Sequence, residues 1–278
     1  MDIEGIELLD VSKKYKNARA ANAALSNVNL TILPGQYVGI TGVNGSGKST
    51  LVRLLNGLIQ PGRGKVYVDG LDTSNPGHLP LIRRLVGVVF QNPDNQLLSP
   101  LVEEEIAFGL ENLDLPLQEI SRRIEWALQL VGLEAMKHHS PNLLSGGQKQ
   151  KVALAAVLAM KPKYLVLDEP TSMLDTISRK ELLDQLKTLH GEGMTIILSS
   201  HNPEDLVQAD RIIVIDQGSI HLQGAPWEVY RQEAELAAIG LEPPGLYMLL
   251  SHLTRNEYSI DGGIKTTAEL VQYICSRL

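Results

Sequence analysis

The chain has 278 residues, enough for one large core or one domain with appendages, and its 44% apolar content excludes an ordinary disordered chain. A formal net charge of −7 argues against a dedicated nucleic-acid surface, which would carry a basic face. No apolar run approaches the ~18–20 residues that span a bilayer, Cys275 has no cysteine to pair with, and the acidic start MDIEGIELLD does not read as a secretory signal, so a cytoplasmic location is expected.

In chain order, the first β-type run is Ile6–Val11, with Tyr15 shortly after it, and Val28–Leu33 follows. These early runs read as an antiparallel edge. The next run, Tyr37–Thr41, leads straight into Gly42-Val43-Asn44-Gly45-Ser46-Gly47-Lys48-Ser49-Thr50 and then the apolar stretch LVRLLNGL. Strand, glycine-rich loop and helix in that order form a phosphate cradle. Gly42, Gly45 and Gly47 allow positive φ, which turns backbone N–H groups of the loop toward phosphate oxygens. The helix N-terminus adds positive potential at the same place. Lys48 can reach the terminal phosphates of ATP, and the Ser49 hydroxyl can ligate Mg²⁺. The spacing G-x-x-x-x-G-K-[ST] would arise by chance in about one chain of this length in a hundred.

Lys65–Val68 and Val86–Phe90 continue the strand series. From about 93 to 160 the pattern turns helical. Ile120, Ile124, Ala127, Leu128 and Val131 recur at helical spacing, and Ser145–Met160 is a second helical stretch rich in Ala and Leu. At the head of that stretch stands LLSGGQ, Leu143–Gln148. Ser145 can cap the helix, while Gly146 and Gly147 leave its first N–H groups bare, making a second anion site. Tyr164–Leu167 and Thr195–Ser199 are apolar on both faces and suit central strands covered by helices. The first of them ends in Asp168 and Glu169. Asp168 is placed to hold Mg²⁺ through water beside Ser49, and Glu169 to orient or deprotonate an attacking water. His201 follows the second. Ile212–Asp216 and Ile220–Gln223 read as another antiparallel edge, and from Trp227 onward the pattern is helical, broken at Pro243-Pro244 and Gly262-Gly263.

With GVNGSGKST, LLSGGQ and YLVLDE in one chain, the sequence resembles the ATP-binding-cassette (ABC) ATPases over roughly residues 3 to 223. The resemblance implies an α/β fold with a P-loop NTPase (RecA-like) core, an antiparallel β edge, a helical signature subdomain and a small helical C-terminal appendage. The expected division is an ATP-binding domain at 1–226, with the helical subdomain at about 93–160 inserted in it, and a dimerisation appendage at 227–278. It also implies a head-to-tail dimer with two ATP molecules at the seam. ATP on Tyr15, Gly42, Asn44, Gly45, Ser46, Gly47, Lys48, Ser49 and Thr50 of one copy would be closed over in trans by Ser145, Gly146, Gly147, Gln148 and Asp175 of the other. Tyr15 resembles the aromatic that stacks on adenine. Gln91 resembles the glutamine that senses Mg²⁺, and His201 the switch histidine that contacts the γ-phosphate. Glu169, His201, Gln91 and Lys48 are thus the expected catalytic set, and Ser49, Gln91 and Asp168 the Mg²⁺ set. The chain departs from the common pattern at Met173, Thr176 and Ser200, where Gly, Pro and Thr are usual.

The run NPDNQLLSPLVEEEIAFGLENL and the tail LEPPGLYMLLSHL are similar to the energy-coupling-factor (ECF) ATPases and their cobalt- and nickel-transport relatives, with Glu105 where Asp is common. That resemblance implies a subunit peripheral to the cytoplasmic face of the membrane, energising uptake of a vitamin, cobalt or nickel. Its partners would be a second copy or a paralogous ATPase, a transmembrane coupling subunit and a substrate-binding membrane subunit, with no nucleic acid. Glu103, Glu104 and Glu105 are expected either to meet basic residues of a coupling helix or to form a solvated helix start favoured by the macrodipole. The alternatives are an ABC ATPase acting on ribosomes or DNA, or a regulatory subunit. The first usually has two cassettes in a chain or a long coiled coil between its motifs, and the interval from Lys48 to Asp168 has no sustained heptads. The second tends to lose the glutamate or histidine, and Glu169 and His201 are both present.

Overall fold

The computed structural model describes residues 4–15, 23–255 and 264–276. Ten strands are present among these residues: β1 (Ile6–Lys13), β2 (Leu25–Ile32), β3 (Tyr37–Thr41), β4 (Arg63–Val68), β5 (Leu71–Asp72), β6 (Val86–Val89), β7 (Tyr164–Asp168), β8 (Thr195–Ser199), β9 (Arg211–Asp216) and β10 (Ser219–Gly224). They form two sheets. One is antiparallel with order β2-β1-β4-β5, and the other has order β10-β9-β3-β8-β7-β6. In the second sheet β9, β3, β8, β7 and β6 run parallel, and β10 closes the edge antiparallel to β9.

The helices are α1 (Lys48–Leu55), α2 (Leu79–Leu85), α3 (Val102–Leu110), α4 (Leu117–Val131), α5 (Gly146–Ala159), α6 (Thr176–Gly191), α7 (Pro226–Tyr230), α8 (Glu233–Ala238), α9 (Gly245–Arg255) and α10 (Thr267–Cys275). The parallel sheet separates two cores, because side chains alternate along each strand. Val38, Ile40, Val166, Ile197, Ile213 and Ile215 face one core, which they share with α1 and the antiparallel sheet. Leu165, Leu167, Ile196, Leu198, Ile212 and Val214 face the other, which they share with α3 to α6 and the C-terminal helices. Full burial on both faces explains why YLVLD and TIILS show no polar alternation.

An isolated helix as short as α1 is marginal in water. Leu51, Val52, Leu54 and Leu55 are completely buried and supply what local propensity cannot, at an upper estimate of about 2 kcal/mol each. The helical stretch after Ser145 begins with a capping box. Gln148 N–H donates to Ser145 Oγ at 3.3 Å, and Ser145 N–H donates to Gln148 Oε1 at 2.9 Å.

Several details differ from the sequence reading. The second strand starts at Leu25 rather than Val28, because Leu25 pairs with Lys13 and is buried. The strand Leu71–Asp72 is too short for any periodicity to show. Glu105 is neither solvated nor free for a partner. It is buried, and its Oε2 accepts the N–H groups of Leu98 and Ser99, both at 2.7 Å, pinning the loop before α3. Glu103 is held by His138 Nδ1 at 2.7 Å, while Glu104 is exposed. The break at Pro243-Pro244 separates α8 from α9, whereas Gly262 and Gly263 lie outside the described residues.

Candidate functional site

Parallel strands send all their carboxyl ends to one edge of the sheet, and functional loops collect there. Adjacent strands β3, β8, β7 and β6 carry, at that edge, the Gly42–Gly47 loop, His201, Asp168-Glu169 and Gln91 respectively. Strand order thus brings together four motifs that are as far apart as positions 42 and 201.

The loop takes its shape at glycines. Gly42 has φ 153° and Gly47 φ 117°, and a Cβ at either would collide with backbone, the Ile215 carbonyl in one case and the Ala24 carbonyl in the other. Lys48 is buried, and its Nζ donates to Gly42 O at 2.8 Å and Val43 O at 3.3 Å. The Ser46 hydroxyl is buried with no hydrogen-bond partner among the described residues, which suits an outside acceptor such as a phosphate oxygen. A cavity of about 410 Å³ is lined by Ala24, Asn44, Gly45, Gly47, Lys48, Ser49, Thr50, Gln91 and Glu169. Tyr15 stands at the side of α1, with its hydroxyl 3.4 Å from Thr50 Oγ1 and its ring half-exposed beneath the Lys13 ammonium.

Glu169 is the hub. Its Oε1 lies 3.3 Å from Lys48 Nζ, and its Oε2 is 3.0 Å from Gln91 Nε2, which donates to it, and 3.1 Å from His201 Nδ1. Its backbone has φ 48°, a left-handed conformation that costs a non-glycine residue roughly 1–2 kcal/mol. That turn directs Glu169 away from its neighbour Asp168, and it is held by the bond from Glu169 N–H to Ser199 O at 2.9 Å. Asp168 Oδ1 accepts from Ser49 Oγ at 3.2 Å. Burial pushes the Asp168 carboxyl above the usual carboxylate range, and the adjacent Glu169 charge adds to this against the Ser49 hydrogen bond and the Arg53 charge. A buried carboxylate beside a hydroxyl, with an amide side chain near, is a hard-oxygen donor set that fits Mg²⁺. Arg53 is the contributor that the motif reading missed. It lies one helical turn beyond Ser49, so i,i+4 spacing would have found it.

The second anion site expected from the sequence lies elsewhere on the chain. None of the residues from Leu143 to Gln148 lines the Lys48 cavity. Instead the glycine turn rests against the segment after Glu169: a Cβ on Gly147 would meet Leu174 at 3.4 Å and Ser178 at 3.6 Å. Asp175 caps α6, accepting from Ile177 N–H at 2.9 Å and Ser178 N–H at 3.0 Å. The backbone N–H and hydroxyl of Ser178 hold its carboxyl below the usual range. Around these groups Leu143, Met173 and Ile177 are strongly exposed. Gln150 of α5 donates to Phe90 O at 3.3 Å and Lys149 pairs with Asp94 at 2.7 Å, so the signature helix is fastened to the Gln91 segment.

Residues 25–172 match the ABC transporter family model. The chain is 48% identical over 252 residues to the energy-coupling factor transporter ATP-binding protein EcfA1 of Caldanaerobacter subterraneus subsp. tengcongensis, covering 90% of this chain and 91% of that protein. Among solved structures it is similar to cbiO1 of Clostridium perfringens, described as part of the ABC transporter complex cbiONQ, at 34% identity and a TM-score of 0.74, covering 89% of this chain and 98% of that one. It is also similar to the cassette MJ0796, solved as a dimer in a post-hydrolysis state with ADP and Pi, at 33% identity and a TM-score of 0.73, covering 79% of this chain and 98% of that one.

Proposed function

The chain belongs to the ABC transporter family of ATP-hydrolysing proteins, and from that premise we propose that it is the ATPase subunit of an ECF-type importer, working against separate membrane subunits to take up a vitamin or a transition-metal ion such as cobalt or nickel. Among the described residues no helix is long and apolar enough to cross a membrane, so on this reading membrane contact is made through partners, at the cytoplasmic face.

The observation that carries the chemical assignment is the Glu169 carboxylate, gathered at 3.0–3.3 Å with Lys48, Gln91 and His201 beside the Ser49–Asp168 pair. Phosphoryl transfer to water needs positioning and charge stabilisation more than covalent chemistry. Lys48 and the loop amides from Gly42 to Ser49 neutralise the β- and γ-phosphates. Glu169 orients the attacking water and takes its proton, His201 contacts the γ-phosphate, and Tyr15 stacks on the base. Ser49 and Asp168, with Gln91 near, would hold Mg²⁺, which would supply charge neutralisation to the phosphates.

On this reading the cage is completed in trans by the surface formed by Ser145, Gly146, Gly147, Gln148 and Asp175 of a second copy or a paralogue: its rim carries exposed Leu143, Met173 and Ile177, and its capping box engages the N–H groups of Ser145 and Gln148 but not those of Gly146 and Gly147. ATP then bridges two chains, and hydrolysis removes the bridging charge. The interface becomes a two-state element biased by nucleotide, able to move partners seated on the α3 to α5 region. The appendage at 227–278 would add to the same pairing. The deciding experiment is purification of the chain from membranes with its companions, identification of those companions by mass spectrometry, and assay of ATP-dependent uptake after reconstitution. Recovery in a membrane-free complex with ribosomes or DNA would overturn the transport reading.

A further inference from the structure

Asp205 sits in the 3₁₀ turn Pro203–Leu206 that follows His201, and its side chain has no exposed surface. Its two oxygens gather donors from three separate segments. Oδ2 accepts from Thr171 Oγ1 and from Ser200 Oγ, each at 2.7 Å, and Oδ1 accepts from Arg179 Nε at 2.6 Å. Thr171 stands two residues beyond Glu169. Ser200 directly precedes His201. Arg179 is one turn into α6, and its N–H donates to the carbonyl of the capping Asp175 at 2.9 Å. The carboxylate therefore joins the segments that carry Glu169, His201 and Asp175.

The turn that presents it is itself well fixed. Asn202 N–H donates to Ser200 Oγ at 3.0 Å and Tyr230 OH donates to Pro203 O at 3.1 Å. Leu206 packs onto β3 so closely that a Cβ on Gly39 would lie 3.2 Å from it. A buried carboxylate is costly unless its acceptors are all engaged. Charge-assisted bonds this short hold donor and acceptor in a narrow geometry, so displacing one segment displaces the others.

We infer that Asp205 is a positioning residue of the hydrolysis site, holding the Thr171 and Ser200 segments so that Glu169 and His201 keep a fixed spacing, and tying both to the helix that begins at Asp175. The inference rests on the roles given above to Glu169 and His201. It gives the pairing surface a rigid route to the γ-phosphate end of the site: a shift of α6 on closure pulls Asp205 through Arg179, and Asp205 carries Thr171 and Ser200 with it.

The test is Asp205→Asn in the full chain, assayed in the complex recovered from membranes, with kcat expressed per site by titrating bound nucleotide. Misplacing a reacting group by about 1 Å can cost about 100-fold, so kcat should fall about 10- to 100-fold. KM for ATP should stay within about threefold, because Asp205 is outside the Lys48 cavity. Thr171→Val and Ser200→Ala each delete one donor and should lower kcat by smaller factors, with little further loss when either is added to Asp205→Asn. If Asp205→Asn does not assemble, these two variants decide, and a kcat loss under about twofold in both overturns the inference. A kcat loss under about fivefold, or a loss expressed mainly as raised KM, overturns the inference. Glu169→Gln run in parallel separates the two levels. Normal turnover there overturns the underlying assignment, whereas lost turnover there with normal turnover in Asp205→Asn overturns this inference alone.

Discussion

Replacing Glu169 by Gln keeps the shape of the side chain and removes its charge. The Lys48–Glu169 contact at 3.3 Å is buried on both sides. At an effective dielectric of 20 its gross attraction is about 5 kcal/mol, most of it offset by desolvation of the two charges. Phosphate oxygens compete with Glu169 for the same ammonium, so removing the carboxylate should leave ATP affinity unchanged or tighten it by up to about tenfold, or about 1.4 kcal/mol. The chemistry should suffer in the opposite direction. A positioned base contributes about 10²- to 10⁴-fold, equivalent to about 3–5 kcal/mol of barrier, and an amide cannot take the proton from water. The three quantities to compare are nucleotide affinity by equilibrium fluorescence, ATP-driven pairing by light scattering and single-turnover phosphate release. Binding and pairing should survive while release nearly stops. Phosphate release above about a third of the wild-type rate, a deficit far smaller than a lost base implies, would refute the reasoning, as would loss of nucleotide binding.

Tyr15→Ala should weaken ATP binding by about 1–3 kcal/mol, the usual value of one base stacked on an aromatic ring, with kcat kept at saturating ATP; unchanged affinity in a binding titration would leave Tyr15 only its packing against Thr50 and Lys13. Ser145→Arg should leave ATP affinity of the unpaired chain within about twofold and abolish ATP-driven pairing seen by light scattering, because the residue lies outside the Lys48 cavity; an equal loss of affinity in the unpaired chain would place it in its own site. Burial pushes the Asp69 carboxyl up, but Lys163 Nζ, Tyr164 OH and Gly5 N–H outweigh that and hold it below the usual range. A folded value below the unfolded one contributes stability that is complete above about pH 4–5 and fades as pH falls through the folded value. Asp69→Asn tolerates the same φ of 44° and should lower Tm near neutral pH, with the gap to wild type closing in acid melts; a gap that widened on acidification would contradict the assignment.

Much of the site was legible because its parts are local. The phosphate loop depends on contiguous residues from Gly42 to Thr50, and the cap on Ser145 depends on a residue three places on. Each leaves a mark in spacing and residue type. Glu105 left none: in the sequence it is the third of three glutamates, and only the path of the loop over Leu98 and Ser99 distinguishes it from exposed Glu104. Asp205 was silent for the same reason, since an aspartate two places after a proline reads as a turn residue until Thr171, Ser200 and Arg179 are seen around it.

By itself, then, the sequence determined nine of the ten described strands, the helices after the glycine loop, at Leu117–Val131 and after Ser145, and the chemical kinds of group at each motif, but not the helices Leu79–Leu85 and Thr176–Gly191, because backbone preference and side-chain period act over a few neighbouring residues. The tertiary structure decided which of those groups meet. Lys48, Gln91 and His201 converge on Glu169 because β3, β8, β7 and β6 lie side by side in one parallel sheet, an order set by burial of both its faces rather than by any local signal.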